Sequence, residues 1–263
     1  MVDFIEELYQ YAQLGTFFRE IIEKCRQYDD ALLMVMWDDM LENIVEFCKK
    51  VYGMDAVLGK TLWEQLQTAC EYSTRRDPDY LSMGDGLERA LPNYYKAMRL
   101  FGEIDVTENG YRLFSSDSGF LSLQNVNTGR LIHGSLDPME EARCIARKIY
   151  TVKQQNCRIM GCGLGYLPYQ LYKMSNERFD VYVYETDAQL IEYAKEYGVL
   201  SWIPEDRLHI VVDEREDSLI EKFIEDADRG MAGRTAYYCS DDIYSRMTSY
   251  LKEQIATLNS TIT

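Results

Sequence analysis

The sequence predicts an α/β fold, with a mostly parallel sheet in its C-terminal part preceded by a helical N-terminal region and a small β-meander. Three observations predict it. Beyond about residue 157, strand-length apolar runs alternate with helix-length segments, the pattern of βαβ crossovers. A glycine-rich turn links the first of these strands to the helix after it. Upstream, the hydrophobic period is helical before residue 100 and close to two between 103 and 133. The boundaries implied are 1–102 for the helical region, 103–135 for the meander and 136–263 for the parallel-sheet domain.

In the helical region, apolar residues recur at helical spacing from Phe4 to Leu14, from Phe17 to Cys25 and from Leu32 to Cys48. Such stripes read as core faces of a bundle. Breaks are expected at Gly53, Gly59, Asp77-Pro78 and Gly84-Asp85-Gly86. In the meander, Asn109-Gly110 stands between alternating apolar runs, a strong hairpin signal, with Ser118-Gly119 and Thr128-Gly129 as further turns. Asp137-Pro138 then opens a helix: Asp137 suits the cap, Pro138 the first helical position and Glu140 a capping box. Strands are expected over 158–160, 181–184, 209–212 and 235–239, and helices over 166–174, 188–197, 218–228 and 244–258.

Charge narrows the partners. The 28 basic and 44 acidic side chains give a net charge of −16, and the short basic clusters Lys49-Lys50 and Arg75-Arg76 lie in acidic surroundings. A nucleic-acid backbone or an anionic membrane is disfavoured by such a surface. The seven cysteines include no C-x-x-C pair and there are two histidines, so no metal-ligand spacing appears and no metal is expected. With no signal peptide and no apolar run of transmembrane length, the chain reads as cytoplasmic. The helical region is expected to serve either as a lid or as a homodimer surface.

The chemistry-bearing stretch is Arg158-Ile159-Met160-Gly161-Cys162-Gly163-Leu164-Gly165-Tyr166, a short apolar strand running into G-x-G-x-G and then a helix. Glycines permit a sharp turn and bring a ligand against main-chain N–H groups at a positive helix end. Twenty residues after Gly165, the buried strand Val181-Tyr182-Val183-Tyr184 ends in Glu185. A carboxylate at that distance can accept hydrogen bonds from both ribose hydroxyls of an adenosine. The dinucleotide fingerprint G-x-G-x-x-G is not met, because its last position is Tyr166.

Residues 157–245 resemble the class I S-adenosylmethionine-dependent methyltransferases, which have a Rossmann-like sheet. Gly161, Gly163 and Gly165 match the family's first motif, and Glu185 its second. The resemblance implies that Gly161, Cys162, Gly163, Leu164, Gly165 and Tyr166 form the S-adenosylmethionine-binding turn, with Glu185 and Thr186 at the ribose. Asp213 and Glu214, after the third strand, would lie beside the adenine. Ser240, with Asp241 and Asp242 after the fourth, would face the transfer pocket. Ile159 stands where most of these enzymes carry an acid, a position at which aminopropyltransferases resembling spermidine synthase also accept an apolar residue. The four core strands are fewer than a complete sheet of the family has, so the sheet reads as incomplete.

A second resemblance overlaps the first. His133, Asp137, Pro138, Glu141 and Ala142, followed by Gly163-Leu164-Gly165-Tyr166, look like the N-terminal region of the motility-accessory-factor glycosyltransferases, while Gly134 and Leu136 depart from it. Two functions therefore stand foremost, with an aminopropyltransferase-like or nucleotide-binding protein behind them. One is an S-adenosylmethionine-binding methyltransferase acting on an unidentified small molecule or protein. The other is a non-catalytic Rossmann-like binding or scaffold domain related to the second family. No catalytic residue is assigned: His133, in a turn, and His209, opening a strand, both read as structural hydrogen-bonding groups.

Overall fold

The computed structural model describes residues 14, 15, 17–26, 30–73, 80–101, 105–229, 234–240 and 252. The helix expected over 244–258, Asp241 and Asp242, the stripe from Phe4 to Ala12 and the break at Asp77-Pro78 lie outside them. The chain forms two compact units, one of residues 1–129 with 135–137, the other of residues 130–134 with 138–263.

The first unit carries three long helices, α1 (Asp30–Met54), α2 (Ala56–Ser73) and α3 (Tyr80–Phe101), with residues 17–26 also helical. Its core centres on Tyr94 of α3, whose ring meets Phe18 edge-on at 5.5 Å and Phe47 at 5.4 Å. Gly59, Gly84 and Gly86 lie inside these helices rather than breaking them. A methyl group on Gly84 would stand 3.0 Å from the Cys25 side chain, and one on Gly86 3.4 Å from Ala69. The glycines thus permit close helix approach, and that packing overrides their poor helix propensity. Among the described residues a break falls at Asp55, whose side chain accepts the Leu58 amide as a cap on α2.

The meander follows as β1 (Asp105–Glu108), β2 (Tyr111–Ser115) and β3 (Leu121–Asn125), antiparallel in that order. Asn109 and Gly110 both take positive φ, 49° and 81°, as a two-residue hairpin turn of matching twist demands.

The second unit begins its regular structure at Pro138 with α4 (Pro138–Ile149), then alternates: β4 (Asn156–Met160), α5 (Tyr166–Met174), β5 (Asp180–Glu185), α6 (Ala188–Glu196), β6 (Leu208–Val212), α7 (Glu216–Arg229) and β7 (Thr235–Cys239). The four strands form one parallel sheet in the order β6-β5-β4-β7. On one face, Met160, Tyr184 and Tyr237 bury against Leu219, Ile220 and Phe223 of α7. Alternation puts Cys157, Ile159, Val181 and Val183 on the other face, all without solvent exposure. A parallel sheet buried on both faces explains why these strands read as continuous apolar runs. Among the described residues no helix is long and apolar enough to cross a membrane, and no cluster of His, Cys, Asp or Glu could hold a metal.

Candidate functional site

A parallel sheet delivers the C-terminal ends of all its strands to one edge, and the segments leaving that edge are tied together here. The Ser240 amide donates to the Met160 carbonyl at 2.9 Å, the Gly161 amide to Tyr184 at 2.9 Å, and the Asp213 amide to Glu185 at 3.3 Å. The turn after β4, the acid ending β5 and the residues after β6 and β7 therefore occupy one rim.

The turn itself needs its glycines. Gly161, Gly163 and Gly165 have φ of 82°, 52° and 83°, conformations that a side chain makes costly. Space is as restrictive as dihedral angle. A methyl group on Gly163 would overlap the His133 ring, and one on Gly165 would stand 2.9 Å from Leu200. From the far side, Gly198 passes so close that its own methyl group would collide with the Leu164 carbonyl. That carbonyl accepts the Val199 amide at 2.9 Å. Segment 198–200 is a support that the sequence reading did not single out, its signal being a lone glycine after Tyr197.

Glu185 meets the turn directly. One carboxylate oxygen, Oε2, accepts the Cys162 amide at 3.1 Å, and Oε1 accepts the Thr186 amide at 2.9 Å and the Asp187 amide at 3.4 Å. The residue is 3% exposed. Burial raises its pKa above the ordinary carboxylate value, and these three amides pull the other way. The acid is thus aimed at the glycine turn, and its oxygens are engaged by backbone donors.

His133 completes the enclosure. Its Nε2 accepts the Leu164 amide at 2.7 Å, and its ring stands edge-on to Tyr166 at 5.0 Å between centroids. An accepting Nε2 fixes the neutral ring with its proton on Nδ1. Desolvation agrees, lowering the pKa to about 4. The next residue is anchored too: the Gly134 amide donates to the Glu141 carboxylate at 2.8 Å. Four amides of the turn, those of Gly161, Cys162, Leu164 and Gly165, consequently donate within the protein.

The other sequence-derived residues divide. Cys162, Leu164 and Tyr166 are buried in the turn, Cys162 with a thiol whose pKa burial raises. Asp213 sits at the rim, yet its carboxylate accepts the Arg215 amide at 3.0 Å and the Ser218 hydroxyl at 2.8 Å. Glu214 points to solvent. His209 stacks on Tyr182 at 4.5 Å, within the sheet and away from the rim. These four amide donors of the turn are thus spent inside the fold. No family model, no curated protein and no solved structure matches the chain.

Proposed function

We propose that this protein binds an adenosine-bearing cofactor, S-adenosylmethionine by preference, at the rim formed by the glycine turn and Glu185. The observation that carries the reading is the Glu185–Cys162 hydrogen bond. It brings together an acid and a glycine turn that stand on different strands, the pairing a ribose and its adjoining chain require. The strand order supports it: β4 is flanked by β5 then β6 on one side and β7 on the other, an order compatible with one end of a Rossmann sheet. Ligands of such sheets bind beyond the strand ends where the order reverses, here between β4 and β7. Gly161 and Ser240 leave the sheet at that point.

Bound there, S-adenosylmethionine would supply an electrophilic methyl group, and the chain's task would be to hold it against an acceptor. Gly163 and Gly165 would admit the ligand's backbone approach, and Glu185 would take the ribose hydroxyls. Calorimetric titration with S-adenosylhomocysteine tests this: binding in the wild type and at least about ten-fold weaker binding in Glu185→Ala are expected. No heat at about 1 mM ligand would reject the cofactor. Binding unchanged in the variant would reject the place given to its ribose.

One observation favours a second reading, a non-catalytic Rossmann-like binding or scaffold module: His133 occupies the Leu164 amide that a ligand would need. On that reading the turn is a permanent structural junction, and neither wild type nor variants bind the cofactor.

A further inference from the structure

The mismatch between a turn built of ligand-binding residues and a turn whose donors are spent has one focus. Of the four amides that donate internally, those of Gly161 and Gly165 make backbone bonds that the fold itself requires. The Cys162 amide faces Glu185, the very group that a ribose would recruit. Only the Leu164 amide is held by a side chain from outside the βαβ unit, contributed by the segment 130–134.

That segment mimics what it excludes. His133 presents a ring nitrogen lone pair where a carboxylate or carbonyl oxygen of a ligand would accept, and its ring takes the space over Gly163 that the missing side chain leaves. The methyl group of Ile132 fills the rest, within 3.0 Å of a methyl position on Gly163. The Glu141 carboxylate holds Gly134, so the segment is hinged to the start of α4 rather than to the turn.

We infer that His133 is an internal stopper of the glycine turn, seated in place of the acceptor end of an adenosine cofactor, so that ligand entry and His133 withdrawal are one event. The inference rests on the cofactor reading above. A ligand must then spend part of its affinity on displacing the ring, and the apparent dissociation constant is the intrinsic one divided by the fraction of molecules in the open state. Removing the imidazole returns that affinity.

The test uses the full chain and S-adenosylhomocysteine as probe. His133→Ala is expected to bind it at least about ten-fold more tightly than wild type. In the wild-type protein, whose folding is not in question, saturation with the probe is expected to shift the His133 ring proton resonances, while the Gly134 amide, held by Glu141, keeps its exchange rate. Equal affinity in the two proteins, with the wild-type His133 signals unmoved, overturns the stopper and leaves the cofactor reading standing. Absence of binding in both, with Leu164 amide exchange accelerated in the variant, overturns the cofactor reading and the stopper with it, because an opened turn then takes no ligand.

Discussion

The Glu185 carboxylate accepts the Cys162 amide at 3.1 Å, joining the end of β5 to the glycine turn after β4. Its other oxygen accepts two further backbone amides, those of the half-buried Thr186 and Asp187, so Glu185→Ala leaves the buried Cys162 amide without its acceptor. A loss of about 1–3 kcal/mol for each buried amide left without an acceptor is expected in urea unfolding. The isostere Glu185→Gln separates charge from shape. Burial raises the native carboxyl pKa, so its contribution is fully present below the ordinary carboxylate value of 4.5 and is lost as pH rises through the raised native value. The stability deficit of Glu185→Gln against wild type is therefore expected to be larger at about pH 4.5 than at about pH 8. A deficit that grows toward alkaline pH would contradict the burial-dominated account.

His133 has the opposite sign. Its native pKa falls from 6.5 to about 4, so its stabilising contribution is complete above pH 6.5 and is lost as pH falls toward 4. The slope approaches roughly 1.4 kcal/mol per pH unit inside that window. The physical reason extends beyond desolvation: a protonated ring would point Nε2–H at the Leu164 N–H. The neighbours are the Tyr166 ring edge, Ile132 and, one residue along, the Glu141 carboxylate on Gly134. Urea unfolding between pH 7 and 4.5 checks the slope, which is expected to flatten in His133→Gln. A His133 resonance titrating near pH 6.5 in the native protein would refute it.

Much of this architecture was legible in the sequence because the physics was local. Tyr166–Met174 and Thr235–Cys239 have the bounds that their apolar runs predict, and the Asn109-Gly110 hairpin follows from turn chemistry alone. The glycines of the helical unit misled because their reason is tertiary: nothing near Gly84 in the sequence announces Cys25 as its neighbour. The same holds at the rim. The turn and Glu185 could be read from spacing, whereas the seating of His133 on an amide 31 residues away could not. A histidine in a turn is compatible with many partners, and only the fold selects Leu164.

Glycine substitutions test the packing claims. Gly198→Ala drives a methyl group into the Leu164 carbonyl, with the Ala194 carbonyl 2.7 Å away, so neither side can yield without moving backbone. Gly165→Ala adds a left-handed φ of 83° to its collision with Leu200. Each is expected to cost about 2–4 kcal/mol. Gly53→Ala is the contrast: it lies in α1 with nothing within 4 Å of the added methyl group, and a gain of up to about 1 kcal/mol is expected. Thermal unfolding that ranks the three variants otherwise would reject the close approach of 198–200 to the turn.

Thiol labelling reads the state of the turn directly. Cys144 is exposed, whereas Cys25 and Cys48 are buried with pKa values pushed up to about 12, and Cys157 and Cys162 are buried with raised values too. Because the thiolate is the reacting form, Cys144 is expected to label first among these five with a maleimide in the native protein, and Cys162 among the slowest. Cys162 lies between the Glu185 carboxylate and the glycine backbone, its Sγ 3.3 Å from the Gly163 carbonyl, so any loosening of the turn must expose it. His133→Ala is expected to speed Cys162 labelling by at least about ten-fold, an opening of roughly 1.4 kcal/mol, while the Cys25 and Cys48 rates stay unchanged. Mass spectrometry of the labelled peptides assigns each site. An unchanged Cys162 rate in a folded His133→Ala protein would mean that segment 198–200 and Glu185 hold the turn shut without the imidazole.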